Sequence, residues 1–292
     1  MNATALSHGA AAHAGTVIRP QGRRWLLALP AVGFLLIFFA LPLVQNAGRS
    51  LEDAQAPGGV LANYAKLLLD PYYRGVVIET IKLSVFSTLI CVLIGYPVAY
   101  YMVRRAGRWA MPMLFMLIAP LLTSIIMRTF GWRVLFSRRG IVNSFLEWAH
   151  LADAPLKLLD NVFAVYVGMV HIMVPFMVLS IIPVLRAVDV RLEESSRILG
   201  AGAWRTFWRV TLPLSMEGVI TGAILVFMLA SGSFVTQLLL GGGQVVTLPL
   251  LIFQQFALTQ NLAFAAAMGN VLLVIVLICL FVQLRVSEKK EH

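Results

Sequence analysis

Long apolar runs separated by short polar stretches dominate the chain. Six of these runs reach about the 20 residues that a helix needs to cross a membrane. A helix is expected in each run because it satisfies its own backbone hydrogen bonds in lipid. The predicted spans are residues 25–44, 83–103, 110–127, 162–185, 214–240 (of which a central part crosses) and 262–282. The pattern predicts an all-α membrane protein with six transmembrane helices.

The two ends of the chain differ from the apolar runs. Residues 1–24 are rich in Ala, Gly and His without periodicity, which is typical of a disordered tail. The first apolar run is longer than the roughly 7–15 apolar residues of a secretory signal peptide, so it is read as a retained helix. The prediction is therefore a tail at 1–24, a single transmembrane domain at 25–283 and a second tail at 284–292.

Composition agrees with an integral membrane protein. The chain is 60% hydrophobic and 12% charged, with a mean hydropathy of +0.86, whereas soluble domains average roughly 45–50% apolar residues. The net charge of +10 is scattered between the apolar runs, so a nucleic-acid partner is not expected. Cys91 and Cys279 both lie in apolar runs, which gives neither a disulfide framework nor metal-ligand spacing. No metal and no bound cofactor are predicted.

Lysine and arginine residues near the ends of the apolar runs predict the orientation in the membrane. One side carries Arg19, Arg23, Arg24, Arg104, Arg105, Arg108, Arg186, Arg191, Arg197, Arg205, Arg209, Arg285, Lys289 and Lys290. The other side has fewer such residues over longer loops. By the positive-inside rule both termini are cytoplasmic. The outer loops at 45–78 and 128–161 are read either as caps of helix ends or as a docking surface, and the sequence favours neither.

A charged, glycine-broken segment lies between the fourth and fifth apolar runs, and we call residues 193–213 the 193–213 loop. Residues 189–199 are helix-compatible, and Glu193 and Arg197 stand at the i,i+4 spacing that places opposite charges on one face. Gly200 is expected to stop this helix, because glycine accepts the left-handed conformation that closes many helices. A second short helix follows, with aromatic residues on one face and Arg205 and Arg209 on another.

The two short helices predict a protein partner in the cytoplasm. A helix lying flat on the membrane surface explains the tryptophans and arginines of the second helix. It does not explain Glu193, Glu194 or the glycine break. Two short helices at an angle would form a knob, with acidic and small side chains pointing away from the membrane.

The order of residues in this loop resembles the EAA loop of the permease subunits of binding-protein-dependent ABC importers, with the pattern E-A-A-x3-G-x9-I-x-L-P. Glu194, Gly200, Leu212 and Pro213 match this pattern, Ser195 and Ser196 replace the two alanines, and Val210 replaces isoleucine. The resemblance implies a MetI-like fold in a bacterial inner membrane and a loop that couples the permease to an ATPase. The coupling residues that it implies are Glu194, Ser195, Ser196, Arg197, Gly200, Ala201, Leu212 and Pro213.

The resemblance also implies partners and a cargo. The partners would be a cytoplasmic ABC ATPase dimer, a second permease subunit that is a paralogue, a periplasmic solute-binding protein and membrane lipids. The stretches at 70–104 and 211–243 resemble the spermidine/putrescine branch, which implies a polyamine or a related small organic amine. The chain carries no Walker A sequence for cradling phosphates, so ATP would be used by the partner and this chain would not be an enzyme.

Polar residues within the apolar runs are candidates for the substrate path, because ionisable and polar groups at membrane depth are functional hypotheses by default. They are Glu79, His171, Ser233, Thr236, Gln237 and Asn270. Each also has a structural reading. His171 and the uncharged residues serve equally as contacts between helices, and Glu79 stands three residues from Lys82 and pairs with it or meets a cationic substrate. The spans are poor in carboxylates, which weakens the polyamine reading.

Three other classes of protein fit the sequence less well. An ion-gradient-driven secondary transporter would show internal repeats or broken helices, none of which is evident from the sequence. An intramembrane serine protease would need Ser233 and His171 to meet, but the residues around Ser233 do not resemble the GxSG of rhomboid proteases. A structural scaffold would not need an angled cytoplasmic loop.

Overall fold

The computed structural model describes residues 24–52 and 61–288, and every regular element within them is helical. Two units are present, one ending at residue 45 and one starting at residue 46. The first unit consists of α1 (Arg24–Leu35), a π-helical turn (Leu36–Ala40) and the start of α2 (Leu41–Arg49). The predicted span at 25–44 lies in these elements. The predicted tail at 1–24 lies outside the described residues apart from Arg24.

The second unit contains all other helices. They are α3 (Ala62–Leu69), α4 (Pro71–Arg104), α5 (Ala110–Ile118), α6 (Ile125–Leu135), α7 (Ile141–Trp148), α8 (Val162–Ala187), α9 (Val190–Ile198), α10 (Ala203–Thr206), α11 (Leu212–Leu214), α12 (Met216–Gly232), α13 (Val235–Leu240), α14 (Leu248–Ala257) and α15 (Leu262–Glu288). α15 includes the first residues of the predicted tail at 284–292, and the last four residues of that tail lie outside the described part.

Side-chain caps explain where the long helices begin. The Asp70 carboxylate accepts a hydrogen bond from the Tyr72 backbone N–H at 2.8 Å, with Pro71 in the first turn of α4. The Asn161 side chain accepts one from the Ala164 backbone N–H at 2.8 Å and starts α8. Such caps satisfy backbone donors that have no partner inside the helix.

The core of the second unit is formed by α4, α8 and α12, each of which packs against the other two. Small residues allow the close contact. A Cβ atom added to Gly218 of α12 would lie 3.1 Å from the Cα atom of Ile181 in α8. Helices in membranes associate through this kind of close backbone approach, since lipid gives no hydrophobic drive between them.

A second apolar cluster joins α3, α4, α14 and α15. Its buried centre includes Leu67, Leu248 and Phe264. Beside it, polar side chains connect the end of α2 with α3 and α15: the Asn270 amide oxygen accepts from Asn46 at 2.8 Å, and its NH₂ donates to the Tyr64 hydroxyl at 2.9 Å. These half-buried polar groups are paired with one another, which offsets the cost of removing them from water.

Four helices of the described chain are long and apolar enough to cross a membrane: Leu29–Arg49, Pro71–Arg104, Val162–Ala187 and Leu262–Val282. Two bent pairs raise the number to six at most. They are Gly107–Leu122 with Ile125–Leu135, bent by 100°, and Ala203–Leu214 with Met216–Gly232, bent by 63°. The fold is therefore that of an all-helical, multi-pass membrane protein with four to six candidate spans.

Two predicted helix paths differ from the structure. The prediction of one helix at 110–127 is wrong, because helical structure stops at Leu122 and the Ser124 side chain caps a new helix by accepting from the Ile126 N–H. The run at 214–240 is interrupted as well: α12 ends at Gly232, Ser233 is extended, and α13 starts at Val235. Hydropathy does not register such breaks, since the residues on both sides are equally apolar.

Candidate coupling surface and membrane cavities

The 193–213 loop contains two short helical segments separated by a glycine turn. α9 ends at Ile198, and Gly200 follows with φ +85°. The Gly200 N–H donates to the Arg197 carbonyl and the Ala201 N–H to the Ser196 carbonyl, each at 3.0 Å. These hydrogen bonds satisfy carbonyl groups at the helix end that have no partner inside the helix. The positive φ favours glycine at this position, because other residues are strained there. The chain then continues through α10, a π-helical turn at Phe207–Thr211 and α11.

A hydroxyl pair holds the two segments together. The Ser196 and Thr206 side-chain oxygens lie 2.6 Å apart, across the Gly200 turn. Thr206 is buried and Ser196 is partly buried. Ser196 occupies the second alanine position of the resembled pattern, and its hydroxyl gives this chain a link that alanine would lack.

The prediction that Glu193 points away from the membrane domain is wrong, and its partner is not Arg197 at the i,i+4 position. The Glu193 carboxylate is 3.0 Å from the Arg104 guanidinium at the end of α4, with side-chain exposures of 6% and 10%. Arg104 also donates to the Val188 carbonyl at 2.9 Å. Because α9 packs its inner face toward the end of α4, Glu193 loses water and is stabilised by a buried counter-charge.

Aromatic residues attach the second segment to the same end of α4. The Phe207 ring makes edge contacts with Tyr96 and Tyr100, at centroid distances of 5.5 and 5.7 Å. The Tyr96 hydroxyl lies 2.7 Å from the Ser215 hydroxyl at the start of α12. The loop therefore contacts α4 directly as well as continuing into α8 and α12. Sequence reasoning missed Arg104 and these aromatic contacts, because nothing local to the loop indicates them.

The outer face of the loop is exposed and carries apolar, charged and small residues. Ile198 and Leu199 are 85% and 87% exposed. Glu194, Ser195, Arg197 and Gly200 are exposed around them, and Ala201 is half-buried. At the far end Leu212 is half-buried and Pro213 exposed. A Cβ atom added to Gly200 would meet nothing within 4 Å, so the surface over this turn is open.

His171 lies in the middle of α8 beside a large apolar cavity. Its Nδ1 accepts a hydrogen bond from the Trp132 indole N–H at 3.0 Å. The cavity measures about 640 Å³, is lined by α4, α5 and α8, and includes His171 and Tyr166 among mostly aliphatic side chains. The contact between His171 and Trp132 joins α8 to α6.

Ser233 lies in the break between α12 and α13. It lines a second cavity of about 340 Å³ together with Arg128 of α6 and the middle of α8. Thr236 and Gln237 follow on α13 and are buried. The Gln237 NH₂ approaches the Met169 sulfur at 3.7 Å, and neither the Thr236 hydroxyl nor the Gln237 carbonyl oxygen has a hydrogen-bond partner among the described residues.

The other path candidates lie apart from these cavities. Asn270 belongs to the polar cluster with Asn46 and Tyr64 described above. Glu79 is half-buried on α4, and the ion pair of Arg104 is the only salt bridge within residues 24–52 and 61–288, so Glu79 and Lys82 do not pair. The structure therefore does not gather the six candidates into one site.

Comparisons with known proteins agree with this fold. The chain belongs to the family of inner membrane components of binding-protein-dependent transport systems, whose sequence model matches residues 24–292. It is therefore a multi-pass membrane permease subunit of an ABC importer, a class that is not itself catalytic. The serine protease and scaffold alternatives are excluded by this membership, as is the gradient-driven transporter, although the broken helices that were not expected from the sequence are present.

Curated relatives cover nearly the whole chain. The spermidine/putrescine transport system permease protein PotB of Escherichia coli is 33% identical over 88% of this chain and 95% of its own length. PotB of Haemophilus influenzae is 34% identical over 90% and 91%. The molybdenum transport system permease protein ModB of Mycobacterium tuberculosis is 29% identical over 84% and 88%.

Solved structures share the fold at low identity. A chain of the bacterial alginate ABC transporter, in complex with its alginate pentasaccharide-bound periplasmic protein, gives a TM-score of 0.73 at 18% identity over 92% of this chain and 96% of that one. A chain of the MetNI methionine ABC transporter in an inward-facing conformation gives 0.56 at 16% identity over 76% and 99%. These similarities concern the fold alone.

Proposed function

We propose that this chain forms half of the translocation path of an ATP-driven importer and is coupled to a separate cytoplasmic ATPase dimer by the 193–213 loop. One observation carries the proposal: the inner face of the loop is attached to the helix core, whereas its outer face is exposed. Ile198 and Leu199 are apolar and almost fully exposed, with Glu194 and Arg197 beside them. An apolar centre with a charged rim is the usual composition of a protein interface.

The attachment of the loop suggests how motion is transmitted. The loop continues into α8 and α12, and the Arg104–Glu193 pair and the Phe207 contacts fix it to α4. These three helices are the mutually packed core. A displacement of the loop by ATP-driven closure of the ATPase would therefore move the core as a rigid body, which is a recognised route to alternating access.

The proposed membrane orientation places this loop in the cytoplasm. The Arg104–Glu193 contact puts the end of α4 and the loop at the same end of the helix core. Arg105, Arg191 and Arg205 belong to the same two segments, and such an excess of basic residues favours the cytoplasmic side. Both termini are then cytoplasmic, and the proposed tails at 1–24 and 284–292 lie on that side of the membrane domain at 25–283.

The proposed partners complete the importer. They are the ATPase dimer, which uses the ATP, a second permease subunit that is a paralogue, and a periplasmic solute-binding protein that meets the outer loops. The apolar outer surfaces of the spans contact membrane lipids. The proposed cargo is a small organic amine, which is supported by the PotB relatives, named for spermidine and putrescine, at 33% and 34% identity.

Substitution in the loop tests the coupling proposal. The chain is expressed with its neighbouring transporter subunits, and the ATPase recovered with it from the membrane is quantified. We expect Glu194→Lys and Gly200→Asp to insert normally and to recover much less ATPase, because the former reverses an exposed charge and the latter strains the turn and fills its open surface. Lys157→Ala, outside the loop, is the matched control. Recovery of normal amounts of ATPase by both loop variants would contradict the proposal.

A further inference from the structure

The cavity at the break between α12 and α13 has the form of a small-solute site. It measures about 340 Å³ and is lined by α6, the middle of α8 and the residues around Ser233. Ser233 and Phe234 are not helical. Non-helical backbone at membrane depth is tolerated only where it is buried in protein or lines a polar cavity, and transporters use such breaks for substrate sites.

Arg128 is the one charged residue among those lining this cavity. Its Nε and Nη1 atoms are buried and have no hydrogen-bond partner in the described part of the chain. Buried guanidinium donors that lack partners cost free energy. The neighbouring Arg133 differs in this respect, because its Nη1 donates to the Leu239 carbonyl.

The depth of the cavity in the membrane limits what can satisfy Arg128. Ile172 and Phe176 line the cavity and stand at the middle of the 26-residue helix α8. At 1.5 Å per residue, Ile172 lies about 15 Å from the start of α8 and about 22 Å from its end. This level is far from the headgroups at either surface, so a lipid phosphate does not reach Arg128 without leaving the interface.

The remaining lining residues are apolar apart from Ser233, and no carboxylate is among them. The described residues therefore supply no negative charge to Arg128 in this cavity. A guanidinium binds planar oxyanions through two parallel hydrogen bonds, and the Ser233 hydroxyl is available as a further donor. We infer that Arg128 binds a carboxylate or similar oxyanion group of the transported solute in this cavity, with Ser233 beside it.

This inference rests on the proposed transport function and narrows its cargo. A diamine carries only positive charge and would be repelled by Arg128. A solute with an amine at one end and an acid at the other keeps the amine of the proposed cargo and offers Arg128 an anion. It also accounts for the scarcity of carboxylates in the spans.

Protection of Arg128 from an arginine-specific reagent tests the inference. Membrane vesicles that hold the assembled transporter, and the full chain alone in phosphatidylcholine or phosphatidylglycerol nanodiscs, are treated with phenylglyoxal. Modification of Arg128 is followed by mass spectrometry with 4-aminobutyrate or 1,4-diaminobutane present, a pair that differs at one end only. Arg139, which is exposed in the following loop, is the internal control.

We expect 4-aminobutyrate to slow modification of Arg128 and 1,4-diaminobutane to leave it unchanged, with Arg139 modified equally throughout. At ten times its Kd, a probe occupies about nine-tenths of the sites and slows the reaction about tenfold. Ser233→Ala should shift the protecting concentration of 4-aminobutyrate upward.

Several results would overturn the inference. Equal protection by both probes, or protection by neither, shows that the cavity does not select an anion. Protection by phosphatidylglycerol without any probe assigns the site to lipid. If Arg128 is protected without any probe in the assembled transporter but not in the nanodiscs, its partner is a carboxylate of the second permease subunit. The ATPase-recovery experiment does not depend on Arg128, so failure here leaves the coupling proposal standing.

Discussion

Removing one partner of the Arg104–Glu193 ion pair should destabilise the protein strongly. Both side chains are at least nine-tenths buried and 3.0 Å apart, and breaking such a pair costs about 3–5 kcal/mol because one charge stays buried alone. Arg104→Ala should cost more than Glu193→Ala. The former leaves the carboxylate without a described partner, whereas the latter leaves Arg104 its hydrogen bond to the Val188 carbonyl at 2.9 Å.

The native cysteines provide an assay. Cys91 is fully buried in the core and Cys279 is partly exposed. With Cys279→Ser in every variant, a thiol-reactive fluorophore reports unfolding of the purified chain through Cys91 alone. A loss of about 3 kcal/mol, at about 2–4 °C per kcal/mol, lowers the Tm by roughly 10 °C. Glu194→Ala, on the exposed side of the same helix, should change the Tm by no more than about 2 °C.

The double variant gives the decisive comparison. Because each single change leaves a buried charge that the double change removes, the double variant should be more stable than the sum of the two single losses predicts. Two results would refute the reasoning that this pair fixes α9 to α4. One is a double variant whose loss of stability equals the sum of the two single losses, and the other is a Tm for Glu193→Ala within about 2 °C of the parent.

Three further changes test other parts of the fold. Gly218→Val should destabilise the core by about 1–3 kcal/mol or more, because its Cβ would approach the Ile181 backbone at 3.1 Å; the same Tm assay measures it, and an unchanged Tm contradicts the packing. Asn270→Leu should lower the Tm by removing the partner of Asn46, whereas substrate uptake should fall without a Tm change if Asn270 lines the path instead. Asp189→Ala removes the cap that accepts from the backbone N–H of Arg191 at 2.9 Å, costs about 1 kcal/mol and should speed hydrogen exchange in the first turn of α9 only.

Local sequence patterns predicted the helical membrane fold and the two short helices of the 193–213 loop with a glycine turn between them. The apolar runs could be recognised because hydropathy is averaged over residues that are adjacent in the sequence. The turn at Gly200 could be predicted because glycine adopts positive φ without strain. Contacts between distant residues were not visible. Arg104 and Glu193 are 89 positions apart, whereas the i,i+4 spacing considers only residues one helical turn apart, such as Arg197.

The membrane cavities could not be predicted from the sequence either. Arg128 was placed in the outer loop at 128–161 because the run at 110–127 was taken as one continuous span. The 100° bend between Leu122 and Ile125, inside that run, brings Arg128 beside the middle of α8. A bend of this kind arises from the Ser124 cap and from tertiary packing, neither of which changes the apolar pattern.

Site-specific photo-cross-linking from Leu199 in the assembled transporter tests the central claim most directly. Leu199 is 87% exposed next to the Gly200 turn, and Ile141 of α7, 70% exposed, serves as the control position. The account predicts a product between the Leu199 position and the ATPase subunit, and none from the Ile141 position. Cross-links from Leu199 to lipid alone would contradict it.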